Sequence, residues 1–256
     1  MARDRKTVWG TAIFLVGGGL LAFGGPAGPA GGDLVGRAAG APAIDVTVAG
    51  VKPNGPIPGQ FAFCVPAAQG HVTLGPNKNP EVSWSKGPPG TESYAVIVVD
   101  PDVPSTFDAV NKEGQTILPS LRRINFYHWI LVDIPAATTS IPAGADSRGV
   151  TPHGKKPGMT KYGNRGVNDY GFFFASNPAM RGDYGGYDGP CPPWNDEIPH
   201  HYHFMVYALN VSMLALHGKV NGPEALRAME NHILAVGEAV GLYALNPAIA
   251  RRIGMK

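Results

Sequence analysis

Charged side chains are scarce in this sequence: Asp, Glu, Lys and Arg make up 16% of its 256 residues and leave a formal net charge of only +2. That balance gives no broad electrostatic case for nucleic acid. Hydrophobic residues at 44% exclude a disordered, heavily solvated chain. Cysteine is nearly absent, with only Cys64 and Cys191. The pair is read either as one disulfide of an exported protein or as two buried thiols, since sequence alone does not show their separation. With no cysteine near the N-terminus, a lipid-modified start is not expected. There is no complete GxxxxGK(S/T) loop and no Ser or Cys in a nucleophile motif, so neither a phosphate-gripping P-loop nor covalent hydrolysis is read. Internal repeats are lacking as well.

Glycine and proline, by contrast, are plentiful at 35 and 25 residues. The runs between them are short and rich in Val, Ile, Tyr and Phe, which predicts many turns joining short strands. "FAFCV" (61–65) and "EVSWS" (81–85) have strand composition. "SYAVIVVD" (93–100), "FYHWILVDI" (126–134) and "HYHFMVYALNV" (201–211) are continuous apolar runs, expected as strands buried on both faces. After Pro223 the period changes: Leu226, Met229, Ile233, Val236 and Val240 recur every three or four residues and predict a helix through 222–241. Residues 44–256 read as one domain of a mostly β class. Residues 1–43 read as a basic start, an apolar run and a small-residue spacer, the order of a signal peptide followed by a flexible linker. The expectation is export, periplasmic or extracellular, with an uncleaved membrane anchor as the competitor.

Two connections are long, 105–125 and 149–187; the second carries His153, Lys155, Lys156, Lys161, Arg165 and Arg181. They are read as functional loops or as solvated insertions. In "DPDVP", Asp100 and Asp102 stand two apart, so on a regular strand they share a side, either as paired acids or as anchors of a rigid turn. His128 lies in an apolar strand with those aspartates as candidate partners. "CPPWNDEIPHHYHFMVYALN" puts His200, His201 and His203 within four residues, but alternation sends His200 and Tyr202 to one face and His201 and His203 to the other. A two-histidine pair lacks a third ligand, so no metal site is read.

Taken together, "SYAVIVVDPDVP", "YHW", "GPCPP", "HHYHFMVYAL", "NPEVSWSKGPPGTESYA" and "HILAVGEAVGLYAL" resemble the phosphatidylethanolamine-binding proteins, also called Raf-kinase-inhibitor-like proteins, in their bacterial YbhB/YbcL branch. The resemblance runs from about Phe61 to Tyr243. It implies a Greek-key β-sandwich with peripheral helices, including one at the C-terminus, and a small pocket for phosphate-like groups. By motif, that pocket's wall is Asp100, Asp102, His128, the loop from Gly189 to Pro193 and His200, supported by Tyr202, with Tyr243 of the last helix at its mouth. Two departures stand out: the family's "HRY" reads "HHY" at His201, and the loop after "DPDVP" is considerably longer.

Carboxylates in an anion site must act through an intermediary. An aspartate bonded to one imidazole nitrogen fixes the tautomer and frees the other N–H for the guest. His128 and His200 are therefore expected as donors, Asp100 and Asp102 as their orienting partners, and backbone N–H groups of "GPCPP" as helpers. The leading expectation is a non-catalytic protein without cofactor, binding a small anion or a phospholipid headgroup, with a membrane surface as one setting. A modulator of a kinase or protease through the basic loop is the alternative, and an Asp/His hydrolase the third.

Overall fold

A computed structural model describes residues 43–255; the signal peptide or anchor and linker expected in 1–43 lie, except for Ala43, outside the described residues. Three sheets carry the chain. The large one has seven strands in the order β2-β12-β11-β6-β7-β10-β9. At its centre lie β6 (Ser93–Pro104), β7 (Arg123–Pro135), β11 (His200–Leu209) and β12 (Ile233–Tyr243), flanked by the short β2 (Gly55–Pro56), β9 (Gly158–Met159) and β10 (Asn164–Arg165). The central pairings are antiparallel, whereas β2 joins β12 in parallel. A three-stranded sheet, β1-β5-β8, comprises β1 (Val46–Val48), β5 (Val82–Trp84) and β8 (Ser140–Ile141). A third is the hairpin of β3 (Cys64–Pro66) and β4 (Val72–Leu74).

The apolar runs explain the layering. Along β6, Tyr94, Val96 and Val98 face one way and pack with Val48, Val82, Trp84 and Ile141 of the small sheet. Ala95, Ile97 and Val99 face the other way and meet Ala225 and Met229 of α2 (Gly222–Met229), together with Leu214 and Val220. A strand covered on both faces needs no polar alternation, and each fully buried aliphatic side chain stabilises by about 1.5–3 kcal/mol. The result is a mostly β, open sandwich of sheets with few helices: α1 (Tyr170–Phe173), α2 and the C-terminal α3 (Pro247–Arg252).

Two expectations need correction. The helix predicted over 222–241 stops at Met229, although it starts as expected, with an Asn221–Glu224 capping box and Pro223 in its first turn. From Ile233 the chain is β12, paired along β11. The three-to-four spacing of Ile233, Val236 and Val240 loses to tertiary pairing, as weak helix propensity often does. The signal against helix was glycine: a Cβ at Gly237 would lie 2.1 Å from the carbonyl of Ile44, so the chain leading into β1 crosses there at close range. Secondly, the strand read at 61–65 begins late. Gly59–Phe61 is a 3-10 turn, and pairing starts at Cys64.

Candidate functional site

One recess stands out at the end of the sheet where β6, β7 and β11 meet. Its free space, open solvent at the mouth included, is about 460 Å3. Its walls combine Asp100, His128, His200 and Tyr202 with an apolar set that includes Phe107, Phe126, Tyr170, Phe173 and Pro193.

Two local irregularities of the β6–β7 ladder build it. Val98 pairs with Trp129 but Val99 with Tyr127, so His128 is an extra residue on β7. Further along, Asp100 pairs with Phe126 and Val103 with Ile124, leaving an extra residue on β6. Such bulges re-aim side chains, and here they do so on both strands. The first leaves His128 beside Phe126, Tyr170 and Tyr202, with ring centroids 4.9, 5.6 and 5.1 Å away. The second separates the two aspartates. Asp100 stays buried, accepts from the N–H of Asp102 at 2.8 Å, and receives His200 Nδ1 at 2.7 Å. The carboxylate of Asp102 turns outward and accepts from the N–H and Nδ1 of His201 at 2.8 and 2.7 Å. Asp102 therefore orients His201 and not a recess histidine, which corrects the same-side reading of "DPD". The position where the family pattern has arginine keeps an ion pair, made by a half-exposed histidine whose pKa is raised chiefly by that hydrogen bond.

His200 is wholly buried. Its Nδ1 binds Asp100, and its Nε2 lies 3.3 Å from Asp196 Oδ2. Burial alone would lower its pKa, but the two carboxylates overcome that and raise it to about 9, so it is a cation at neutral pH. With both N–H groups committed, it has none to offer a guest. Asp196 in turn takes a fork from Arg123, Nη1 to Oδ2 at 2.5 Å and Nη2 to Oδ1 at 3.0 Å. Burial would raise the Asp196 carboxyl, but the bonds from His200 and Arg123 hold it below the usual range.

His128 is held differently. Its Nδ1 lies 2.8 Å from the carbonyl of Asp188, which can only accept, so Nδ1 carries the hydrogen. Its own carbonyl accepts from the N–H of Asp188 at 3.0 Å. The Asp188 carboxylate is fully buried and accepts from Lys155 and Asn77 at 2.7 Å and from Asn168 at 2.9 Å. Burial pushes the pKa of His128 down despite the nearby Asp100 charge. Nε2 is thus a bare acceptor, with no hydrogen-bond partner; the buried hydroxyl of Tyr202 makes no well-formed bond either, although the Asp100 carboxylate lies beside it.

Gly189, Pro193 and Tyr243 divide. Pro193 lines the recess; Gly189 and Tyr243 do not. Tyr243 is on β12 rather than on a helix, buried opposite His200, and its hydroxyl donates to the carbonyl of Cys64 at 2.9 Å. The N–H of Gly189 donates to Asn77 Oδ1 at 2.8 Å, and prolines 190, 192 and 193 have no N–H, so the turn is not the cluster of donors anticipated. Its glycine is demanded by contact, because an added Cβ would lie 2.0 Å from the carbonyl of Phe61. Gly189→Ala should cost about 1–3 kcal/mol by overpacking, read by chemical denaturation; unchanged stability would show that the segment yields freely. Beside it, Cys64 and Cys191 form a disulfide, with Cα atoms 4.8 Å apart. Cys191 lines the recess.

The long loops are part of the site. Loop 105–125 supplies Phe107, Val110 and Asn111 to the recess, and 149–187 supplies Tyr170 and Phe173; Phe107 meets Phe173 edge-on at 6.3 Å. Asn111 and Asn195 pin the first loop, the N–H of Asn111 to Asn195 Oδ1 and the N–H of Trp194 to Asn111 Oδ1, both at 3.0 Å. Asp188, Asp196, Arg123 and Tyr170 were missed by sequence reasoning. Their only signal was position: Asp188 precedes "GPCPP", and Asp196 lies within the stretch that leads to His200. Among the described residues no group of three metal-ligating side chains is found, and no helix is long and apolar enough to cross a membrane.

Comparison with known proteins agrees with this architecture. The sequence profile of the family described as phosphatidylethanolamine-binding protein matches residues 47–244. The UPF0098 protein YbcL of Escherichia coli K12 is 31% identical over 171 residues, 67% of this chain and 74% of that protein. A UPF0098 protein of Chlamydia muridarum is 30% identical over 183 residues, 72% of this chain and 93% of that protein. The crystal structure of Escherichia coli YbcL, titled a new member of the mammalian PEBP family, superposes with a TM-score of 0.56 at 27% identity, covering 79% of this chain and 99% of that one. With the profile spanning most of the chain and the same fold found in YbcL, this chain belongs to the phosphatidylethanolamine-binding protein family, in its YbcL-type branch.

Proposed function

We propose that the recess binds a small phosphate-like anion carrying an apolar group, either free or as a lipid headgroup, without transforming it. One observation carries this reading: two buried polar atoms, His128 Nε2 and Tyr202 Oη, lack well-formed bonds in a pocket whose other polar side chains, Asp100, Asn111 and His200, are bonded within the protein. Unsatisfied buried polar groups cost about 1–3 kcal/mol each, a cost that a guest with matching groups removes. The aromatic walls suit the guest's apolar part, as in most small-molecule sites. A hydrolytic role has less support. His128 Nε2 is free to act as a base and His200 is not, but the sulfur of Cys191 is in a disulfide and no Ser, Thr or Lys among the described residues lines the recess to be activated. A kinase or protease modulator is not favoured either, because two of the cations in 149–187, Lys155 and Arg165, are spent on the buried Asp188 and Asp146. The disulfide is in keeping with export to an oxidising compartment.

Calorimetric titration with phenyl phosphate tests the reading. Binding is expected, and His128→Ala should abolish it. Unchanged affinity in that variant, if it remains folded by circular dichroism, would refute the assignment.

A further inference from the structure

The recess has no spare positive charge. His200 stands between Asp100 and Asp196, Arg123 is forked onto Asp196, and Lys155 is bound to Asp188. Each cation that approaches the recess is matched by a carboxylate among the described residues, so a fully charged phosphate would enter a low-dielectric site without a counter-ion. The groups that face His128 complete the picture. From β6 comes Asp100, from β11 His200 and Tyr202, from α1 Tyr170, and from the segment that follows 149–187 the main chain of Asp188 and Gly189. The hydroxyl of Tyr170 is already given to the carbonyl of Gly189 at 2.7 Å. What remains for a guest is an acceptor at His128 Nε2 and a hydroxyl at Tyr202.

Resting on the pocket reading above, we infer that the recess takes a guest bearing its own proton: a phosphate monoester in its singly charged form, whose P–OH donates to His128 Nε2 while an adjacent oxygen accepts from the hydroxyl of Tyr202. The imidazole stays neutral because its Nδ1 hydrogen is held by Asp188 and burial lowers its pKa. The phenol stays protonated because burial, and then Asp100, raise its pKa well above the usual range. A sulfate monoester or a phosphodiester has the same single charge but no such hydrogen, so its oxygen would face the bare Nε2 acceptor to acceptor. One unmade buried hydrogen bond of this kind is worth roughly ten- to a hundredfold in affinity. The selectivity is therefore for the proton and not for the charge.

Three probes of equal charge at pH 5 separate the possibilities by calorimetry on the wild-type chain: phenyl phosphate, phenyl sulfate and methyl phenyl phosphate. Phenyl phosphate should bind at least tenfold tighter than the other two. Because the second pKa of a phosphate monoester is about 6, its affinity should fall about tenfold per pH unit above that point, roughly a hundredfold by pH 8. Tyr202→Phe, which removes a hydroxyl that lies beside the Asp100 carboxylate without a well-formed bond to it, should weaken phenyl phosphate about tenfold with the fold intact. Equal binding of all three esters would mean that His128 itself takes up the proton; that overturns the inference and leaves the pocket reading standing. A phenyl phosphate affinity that rises or stays level to pH 8 overturns it too. Binding of none of them at any pH overturns both. Cosedimentation with phosphatidylcholine vesicles, with and without phosphatidate, distinguishes a lipid source of the monoester, retained on the phosphatidate vesicles, from a soluble one.

Discussion

Asp196→Ala is expected to destabilise the fold by about 3–5 kcal/mol, the usual consequence of removing one partner from a buried charge network. Asp196 holds two cations at once, Arg123 through a fork and His200 through Nε2. Its own carboxylate side chain is 1% exposed, so water does not replace it cheaply. Arg123 also donates to the carbonyls of Leu118, Leu121 and Asp102, which ties the exit of loop 105–125 to the same group. Urea denaturation of the variant measures the loss, and less than 1 kcal/mol would show that the network contributes little. The same network sets a pH dependence. His200 is held at about 9, above its ordinary 6.5. Its contribution to stability, roughly 3 kcal/mol, is complete below about pH 6.5 and is lost as pH rises through about 9. In Asp196→Ala one of the two raising carboxylates is gone, so the alkaline loss should begin at lower pH. A melting-temperature profile from pH 6 to 10 reads both effects, and identical profiles for the two proteins would contradict the assignment of charge to His200.

Opening the disulfide should cost about as much. Cys64 and Cys191 are 127 residues apart, and closing so long a loop removes, on the chain-entropy account, about 5 kcal/mol worth of freedom from the unfolded chain. The bond is not isolated: the N–H groups of Phe63 and Cys64 both donate to the carbonyl of Pro190, at 2.9 and 3.1 Å, so the same two segments are also joined through the backbone. Those bonds remain after reduction, which points to a folded but weakened protein. For a domain of this size the loss corresponds to a melting temperature lower by about 10 °C. Differential scanning calorimetry of Cys64→Ser/Cys191→Ser measures it. Because Cys191 also lines the recess, phenyl phosphate binding should weaken in that double variant. A melting temperature within about 2 °C of the parent would mean that the unfolded chain gains little from being opened.

How much of this was legible in the sequence depends on range. Three of the four long strands, β6, β7 and β11, announced themselves as uninterrupted apolar runs, since burial on both faces leaves a local mark, whereas β12 carried a helical spacing. The small strands 46–48 and 140–141 left none, because two or three residues carry no period. Alternation correctly put His200 and Tyr202 on one side, since β11 is regular there. It failed for Asp100 and Asp102, because one extra residue on β6 changes which way everything beyond it points, and no residue type advertises that insertion. The resemblance supplied His128 and His200 as a pair. It could not supply the finding that one is a neutral acceptor and the other a committed cation, for that follows from Asp188 and Asp196, each brought in from elsewhere in the chain. The disulfide was open for the same reason: proximity across 127 residues is a property of the fold alone.

Loop 105–125 adds Phe107, Val110 and Asn111 to the recess, yet it is fastened to 193–197 and to the end of β7 rather than woven into the ladder. Shape and chemistry at this site therefore have separate owners. The strands set what the guest's head must offer, while a detachable collar sets how bulky its tail can be. With Arg123 and its fork on Asp196 kept, lineages can exchange the rest of the collar and change diet without relearning how to fold.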